Sequence, residues 1–262
     1  MKNLSICFVI FDKNNFERLS KFIRNIKSKI KSKIKIDFYI PLSSDISTNE
    51  LNEFLQKKNI DNFNIRKYQD DYFDYSAYRD FCRKEQHESN AIIFANDTLL
   101  SKHYSKLLIN KFIEKINLFL EKKEEYTLLI GPYCLSEFSF QNNNTDSFVP
   151  TYLFFINQSS INEFLFILEK MEQINNDLNK NLDHKILTPS FISFAKTHQS
   201  QISCRYKSKI RLLQKITTAC TERMITAHFK QVGIVWYFDY GIINQTIIKF
   251  EKLKNKLLCL FR

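Results

Sequence analysis

Three acids stand where neighbouring residues could work with them. The stretch 71–81 reads DYFDYSAYRDF and sets Asp71, Asp74 and Asp80 beside Tyr72, Tyr75, Tyr78 and Arg79. On a helix, Tyr75, Tyr78 and Arg79 fall within one turn of each other. An aromatic ring with a carboxylate beside it can hold a nucleoside: the ring stacks on the base and the acid takes donors from base or ribose. The same pattern also starts a helix with Asp74 as its N-cap, and the residues leave both readings open. Residues 91–100, AIIFANDTLL, form an apolar run that ends in Asn96-Asp97-Thr98. A carboxylate ending a buried strand is costly unless something compensates it. Mg²⁺ or Mn²⁺, hard cations that bridge carboxylates to phosphates, would do so. So would a role for Asp97 as the cap of a helix starting at Leu99. A further acid, Glu137, lies in an irregular stretch after an apolar strand, with Asp146 further along it.

The elements that must hold these residues are legible from periodicity. LSICFVIF (4–11) is a near-continuous apolar run, which suits a strand buried on both faces. Phe16, Leu19, Phe22, Ile23 and Ile26 then recur at helical spacing, and IKIDFYI (34–40) alternates before Pro41. A helix capped by Ser47 or Thr48, a short strand over 62–67, a helix over 75–88 and the strand 91–96 follow. A long amphipathic helix is expected over 99–120, with strands over 126–131 and 151–156 and a helix from Ser159 or Ser160 to Met171. Residues 132–150, rich in Asn, Ser and aromatics, show no clear period and read as a long loop. Strand and helix alternate over the first 130 residues, which predicts an α/β fold with a mostly parallel sheet and flanking helices. Ligands in such sheets sit beyond the carboxyl ends of the strands. Asp12, after the first strand, and Asp97, after a later one, would then face one crevice.

The order of these motifs resembles the rhamnan-synthesis and lipopolysaccharide family of GT-A-like bacterial glycosyltransferases. Those carry D-[FY]-G-A-[YW], then an apolar strand ending N-D-S, a Gly-containing strand and an S-Y-F-like strand. Here Asp74-Tyr75-Ser76-Ala77-Tyr78 matches the first segment with Ser for Gly, and Asn96-Asp97-Thr98 matches the second with Thr for Ser. Gly131 and Thr151-Tyr152-Leu153-Phe154 match the later segments, so the resemblance spans residues 4–170. It implies a GT-A-like, Rossmann-type domain over 1–200 that moves a sugar from a nucleotide-sugar donor to a lipid-linked glycan acceptor. Asp12, Asp74, Tyr75, Tyr78, Arg79, Asn96, Asp97 and Thr98 would bind the donor. Asp97 would face a metal or the diphosphate, and Glu137 would be the base for the acceptor hydroxyl. A full D-x-D is absent, since 97–99 are Asp-Thr-Leu. A divalent cation, Mn²⁺ or Mg²⁺, is therefore an open expectation. Without it, Arg79, Lys102, His103, Arg205 or Lys207 would have to neutralise the leaving diphosphate.

Composition narrows the field further. Gly is scarce, with 3 copies, and neither GxGxxG nor GxxxxGK[ST] occurs, so the common nucleotide fingerprints are absent. The six cysteines are scattered without CxxC spacing, as expected of reduced thiols in a cytosolic protein. No run of 18 apolar residues marks a membrane span, and the N-terminus reads as a first strand rather than a signal peptide. The formal charge is +11. Twelve Lys and Arg face only three acids over 205–262, and IIKFEKLKNKLLCLF at 247–261 reads as a basic amphipathic helix. Residues 201–262 are thus expected to be a basic helical extension that docks on an anionic membrane face, placing the chain in the cytoplasm, peripheral on the inner membrane. Nucleic-acid binding fits the charge but lacks any recognisable motif, so no nucleic-acid partner is expected. A non-catalytic, membrane-associated scaffold is the other alternative.

Overall fold

Strands that lie inside a sheet covered on both faces have no polar side, and that is how the apolar runs of this chain are used. The computed structural model describes residues 2–30, 34–43, 45–68, 74–84, 91–121, 126–140, 143–180 and 209–238. In chain order the elements are β1 (Lys2–Val9), α1 (Phe16–Lys29), β2 (Ile34–Leu42), α2 (Thr48–Lys57), β3 (Phe63–Lys67), α3 (Asp74–Lys84) and β4 (Ala91–Asn96). Then come α4 (Lys106–Glu121), β5 (Leu128–Pro132), β6 (Cys134–Phe140), β7 (Asn143–Phe148), β8 (Leu153–Asn157), α5 (Ile161–Lys180), α6 (Lys209–Val232) and β9 (Ile234–Phe238). A seven-stranded sheet runs β3-β2-β1-β4-β8-β5-β9. Only β8 is antiparallel to its neighbours, so the expected mostly parallel α/β sheet with flanking helices is what the chain forms.

Two cores follow from the pleat, because successive strand residues point to opposite faces. Leu4, Ile6 and Phe8 of β1 pack with Ile93 and Ala95 of β4 under α1, α2 and α4. Cys7 and Val9 pack with Ile92 and Phe94 under α3, α5 and α6.

Three expectations are corrected. The helix over 99–120 is interrupted: Leu99–His103 is a π-helical turn, and α4 begins afresh where the Ser105 hydroxyl accepts the Leu108 N–H at 3.0 Å. The stretch 132–150 is not a structureless loop, because β6 and β7 pair in it as an antiparallel hairpin. Residues 209–238, expected to lie in a separate extension, belong to the sheet domain. There β9 pairs parallel to β5, and α6 supplies Ile216, Cys220, Met224 and Phe229 to the core. The basic helix expected over 247–261 lies outside the described residues. No described helix is long and apolar enough to cross a membrane.

The turn from α6 into β9 needs a glycine. Gly233 donates to the Phe229 carbonyl at 3.0 Å, and Ile234 then donates to the Thr127 carbonyl at 2.9 Å, seating β9 against β5. A Cβ at 233 would lie 2.3 Å from the Thr127 carbonyl oxygen, a backbone atom that cannot swing away. Gly233→Ala should destabilise the fold by about 1–3 kcal/mol. Urea unfolding would show it, with the midpoint moving and the slope unchanged.

Candidate active site at the strand ends

The chain passes from β1 through α1 to β2 on one side, and β4 lies on the other, so the strand order reverses between β1 and β4. In an open α/β sheet this switch point opens a crevice at the carboxyl ends of the strands. Val9 and Asn96 are register partners there, one residue short of the Asp97 carboxylate.

Asp97 sits at this crevice, 6% exposed. Its Oδ2 accepts the Phe11 N–H at 2.9 Å and the Asn15 side-chain amide at 3.4 Å. Asp97 therefore ties the loop after β1 to the end of β4. Asp12, exposed, opens the short turn Lys13–Asn15 by accepting the Asn14 N–H at 2.9 Å. Burial raises the Asp97 carboxyl above its ordinary range. The bonds from Phe11 and Asn15 oppose that rise, and the nearby Asp12 charge adds to it.

Asp74 belongs to the other face of the sheet. It is 5% exposed, and its Oδ2 accepts the Asn96 amide at 2.7 Å, while Asn96 Oδ1 accepts the Thr98 N–H at 3.0 Å. Burial pushes the Asp74 carboxyl up to about 6; Lys215 and the Asn96 bond pull it down, and Glu222 pushes it further up. Asn96 and Asp97 are neighbours in a chain that alternates faces. The two acids therefore share one end of the sheet but meet different elements: Asp97 the start of α1, Asp74 the side of α6.

The remaining candidates are placed differently from expectation. Tyr75 and Tyr78 were expected to face a nucleoside, yet both rings are 0% exposed. The Tyr78 ring lies 4.8 Å from Phe94 and 5.8 Å from Phe154, and its hydroxyl donates to the Thr151 carbonyl at 3.2 Å. Rings covered on every side by protein hold α3 to the sheet; they do not stack on a ligand. Arg79 was expected near a diphosphate, but it is ion-paired with Glu172 of α5 and with Asp80. Thr98 contributes its backbone N–H to Asn96. Glu137 lies on β6 with its side chain outside the described residues. Asp146 is exposed and pairs with Lys230 at 3.0 Å. His103, a candidate to neutralise the diphosphate, stacks on Tyr152 at 4.2 Å with an 11° interplanar angle. Burial, with Lys102 beside it, lowers its imidazole to about 4.

Three residues of α6 escaped sequence reasoning. Glu222 Oε1 accepts both the N–H and the hydroxyl of Thr151, at 3.2 and 2.7 Å. Arg223 lies over the Phe148 ring at 4.2 Å, and Lys215 adds its charge to the Asp74 environment. One signal was available: Glu222 is the only acid between 205 and 238, in an otherwise basic stretch.

A cleft lies beside the crevice, between α3 and the β2–β3 edge of the sheet. Tyr39, Asn64, Arg66, Tyr68, Phe81 and Lys84 are among its lining residues. Tyr68 also meets Phe11 edge to face at 6.3 Å, which links the cleft to the Asp97 loop. Among the described residues no group of three or more His, Cys, Asp or Glu could hold a metal ion. Asp97 and Asp12 are the carboxylates at this crevice that could hold Mg²⁺ or Mn²⁺, with substrate phosphates and water completing the shell.

Asp74 makes a signed prediction. Its folded pKa, about 6, lies above the ordinary 3.8, so the stability it contributes is present at low pH and is lost as pH rises through 6. At neutral pH the buried carboxylate is a cost. Asp74→Asn, which keeps an acceptor for Asn96, should stabilise the protein at pH 7.5 by about 1–3 kcal/mol, a few degrees in Tm. The gain should shrink as pH falls from 6 toward 4. Paired thermal melts at pH 7.5 and 4.5 check both the sign and the trend.

No protein-family model matches the chain, and no curated protein sequence matches it. Solved structures similar to it include 4-diphosphocytidyl-2C-methyl-D-erythritol synthase from Anaerococcus prevotii. That likeness has 8% identity and a TM-score of 0.46, and it covers 93% of this chain and 91% of that one. A second is the apo form of WbbM, a bifunctional glycosyltransferase, with 8% identity, a TM-score of 0.41, and coverage of 66% of this chain and 34% of that one. Neither likeness is near enough to transfer a substrate or a residue role.

Proposed function

We propose that the chain is a nucleotide-sugar-dependent glycosyltransferase acting at the β1/β4 crevice. The observation that carries this reading is the buried Asp97 carboxylate at the switch point. It is tied to the loop after β1, beside a second acid and a cleft with cationic and aromatic walls. The D-Y-S-A-Y and N-D-T segments, and their resemblance to bacterial surface-glycan glycosyltransferases, point the same way.

In this reading the donor's nucleoside lies in the cleft with Tyr39 and Tyr68, and Arg66 and Lys84 face its phosphates. The diphosphate crosses the end of β1 to Asp12 and Asp97. Those two acids would hold a divalent cation, which supplies positive charge to the departing diphosphate. Stabilising that charge is the largest task in such a transfer, because the anomeric carbon passes through an oxocarbenium-like state. Glu137, on the β6 strand that follows β5, is the proposed base for the acceptor hydroxyl. The acceptor is proposed to be a lipid-linked glycan, with the basic residues of 239–262 meeting an anionic membrane face. A non-catalytic scaffold is favoured by one observation: Tyr75, Tyr78 and Arg79 all serve packing.

A thermal-shift panel of UDP-, GDP-, CMP- and dTDP-sugars, with and without Mn²⁺, separates these readings. A true donor at about a hundred times its Kd should add roughly 2.7 kcal/mol, about 5–10 °C for a chain this size. Asp97→Asn should remove the Mn²⁺-dependent part of that shift. A flat response to every nucleotide, identical in wild type and Asp97→Asn, would leave the scaffold.

A further inference from the structure

Glu222 stands at the end of a chain of hydrogen bonds that reaches the candidate acid from outside the motifs. The turn between β7 and β8, residues 149–152, has two anchors on α6. The Val149 N–H donates to the Thr226 hydroxyl at 2.9 Å, and Thr151 donates its N–H and its hydroxyl to Glu222 Oε1. From the turn the bonds run on to both sides of the site. The Thr151 carbonyl accepts the Tyr78 hydroxyl of α3, and the Tyr152 carbonyl accepts the Asn96 N–H at 3.4 Å. Asn96 then uses its side chain to bind Asp74 and the Thr98 N–H. One turn thus joins α6, α3 and the end of β4.

We propose that Glu222 is a positioning residue for this site: through the turn 149–152 it fixes the pairing of Asp74 with Asn96. The assignment rests on the transferase reading for its functional meaning, but its geometry is independent of any ligand. A carboxylate is an apt anchor, because bonds to an ionised acceptor are stronger than neutral ones. Side-chain exposure of 21% leaves Glu222 little water to lean on instead. Four titratable groups among the described residues act on Asp74 or feel its charge. Lys215 and Glu222 face it from α6, Cys7 from β1 and Tyr78 from its own helix. Burial pushes Cys7 and Tyr78 up, so both stay neutral near pH 7. Among the described residues, Lys215 and Glu222 act on Asp74 with opposite sign.

Two variants separate position from charge. Glu222→Gln keeps an acceptor oxygen for Thr151 and removes only the charge. Glu222→Ala removes the anchor. Carbon-13 carboxyl NMR of the ligand-free protein reads the Asp74 titration directly, and amide exchange reads Asn96 and Thr98. In Glu222→Gln the Asp74 midpoint should fall by about half a pH unit or more, with the melting temperature held. In Glu222→Ala the Asn96 and Thr98 amides should exchange at least about fivefold faster. Should Glu222→Ala fail to fold, Thr151→Val, which removes the hydroxyl that Glu222 binds, is read by the same exchange. Unchanged Asn96 and Thr98 exchange in a folded Glu222→Ala or in Thr151→Val would overturn the assignment, as would equally fast exchange in Glu222→Gln, where the anchor is kept. If exchange rises in the variants that lose the anchor while no nucleotide sugar protects the protein, the positioning role stands and the transferase reading falls.

Discussion

A strand alternates faces, and at the end of β4 that rule divides two adjacent polar residues between two environments. Asn96 turns toward the α3–α6 side and binds Asp74; Asp97 turns toward the start of α1 and binds Phe11 and Asn15. Much of the site depends on this division. A register slip of one residue in β4 would exchange the two side chains and put Phe94 and Ala95 on the wrong cores. The parallel pairing with β1 and the antiparallel pairing with β8 both hold that register. The sheet therefore sets which face each of these two side chains meets, and the helices supply their partners.

The same rule explains what the sequence made legible. Strands covered on both faces are short apolar runs, so β1, β4, β5 and β8 could be read without a partner in view. Amphipathic spacing revealed α1, and Ser47, whose hydroxyl accepts the Glu50 N–H at 3.4 Å, marked the start of α2. Failures came where a local signal was outweighed. Ser105 is a helix cap inside an apolar period, and the period hid it. In IVWYF, β-branched and aromatic residues carry a clear strand signal, but the surrounding charge drew the reading toward a helical extension. The motif at 74–78 was placed correctly on a helix, whereas which of its residues face a ligand is a tertiary fact. Tyr75 and Tyr78 pack inward because α3 lies on Cys7, Val9 and Phe94, which no spacing within the motif can disclose. Glu222 was beyond reach for the same reason: its partner Thr151 is 71 residues away.

Energetically, the strand ends are expensive. Two carboxylates with raised pKa values lie at 5–6% exposure, each compensated by hydrogen bonds rather than by a close ion pair. Desolvating an acid costs the folded state at neutral pH unless the partners repay it in full, and a raised pKa means that they do not. Surplus cost of this kind gathers where a protein binds or reacts, because a site shaped for an absent partner is incompletely satisfied alone. The surrounding cores, two layers of Phe, Ile and Leu on the faces of one sheet, provide the stability against which such a cost can be carried.

The acid and the imidazole at this end of the sheet also act on stability with opposite sign. Asp74, raised to about 6, favours the fold below that pH. His103, lowered to about 4, favours it above the ordinary imidazole range and weakens it as pH falls from 6.5 toward 4. Between pH 4 and 6 the two slopes largely cancel, one proton taken up by the folded state against one taken up by the unfolded. The pair alone would leave the curve nearly flat there, and Asp97, also raised, adds its slope to that of Asp74. The charge state of the site has to be read at individual carboxyls and rings, because the global unfolding free energy sums opposing contributions and conceals each of them.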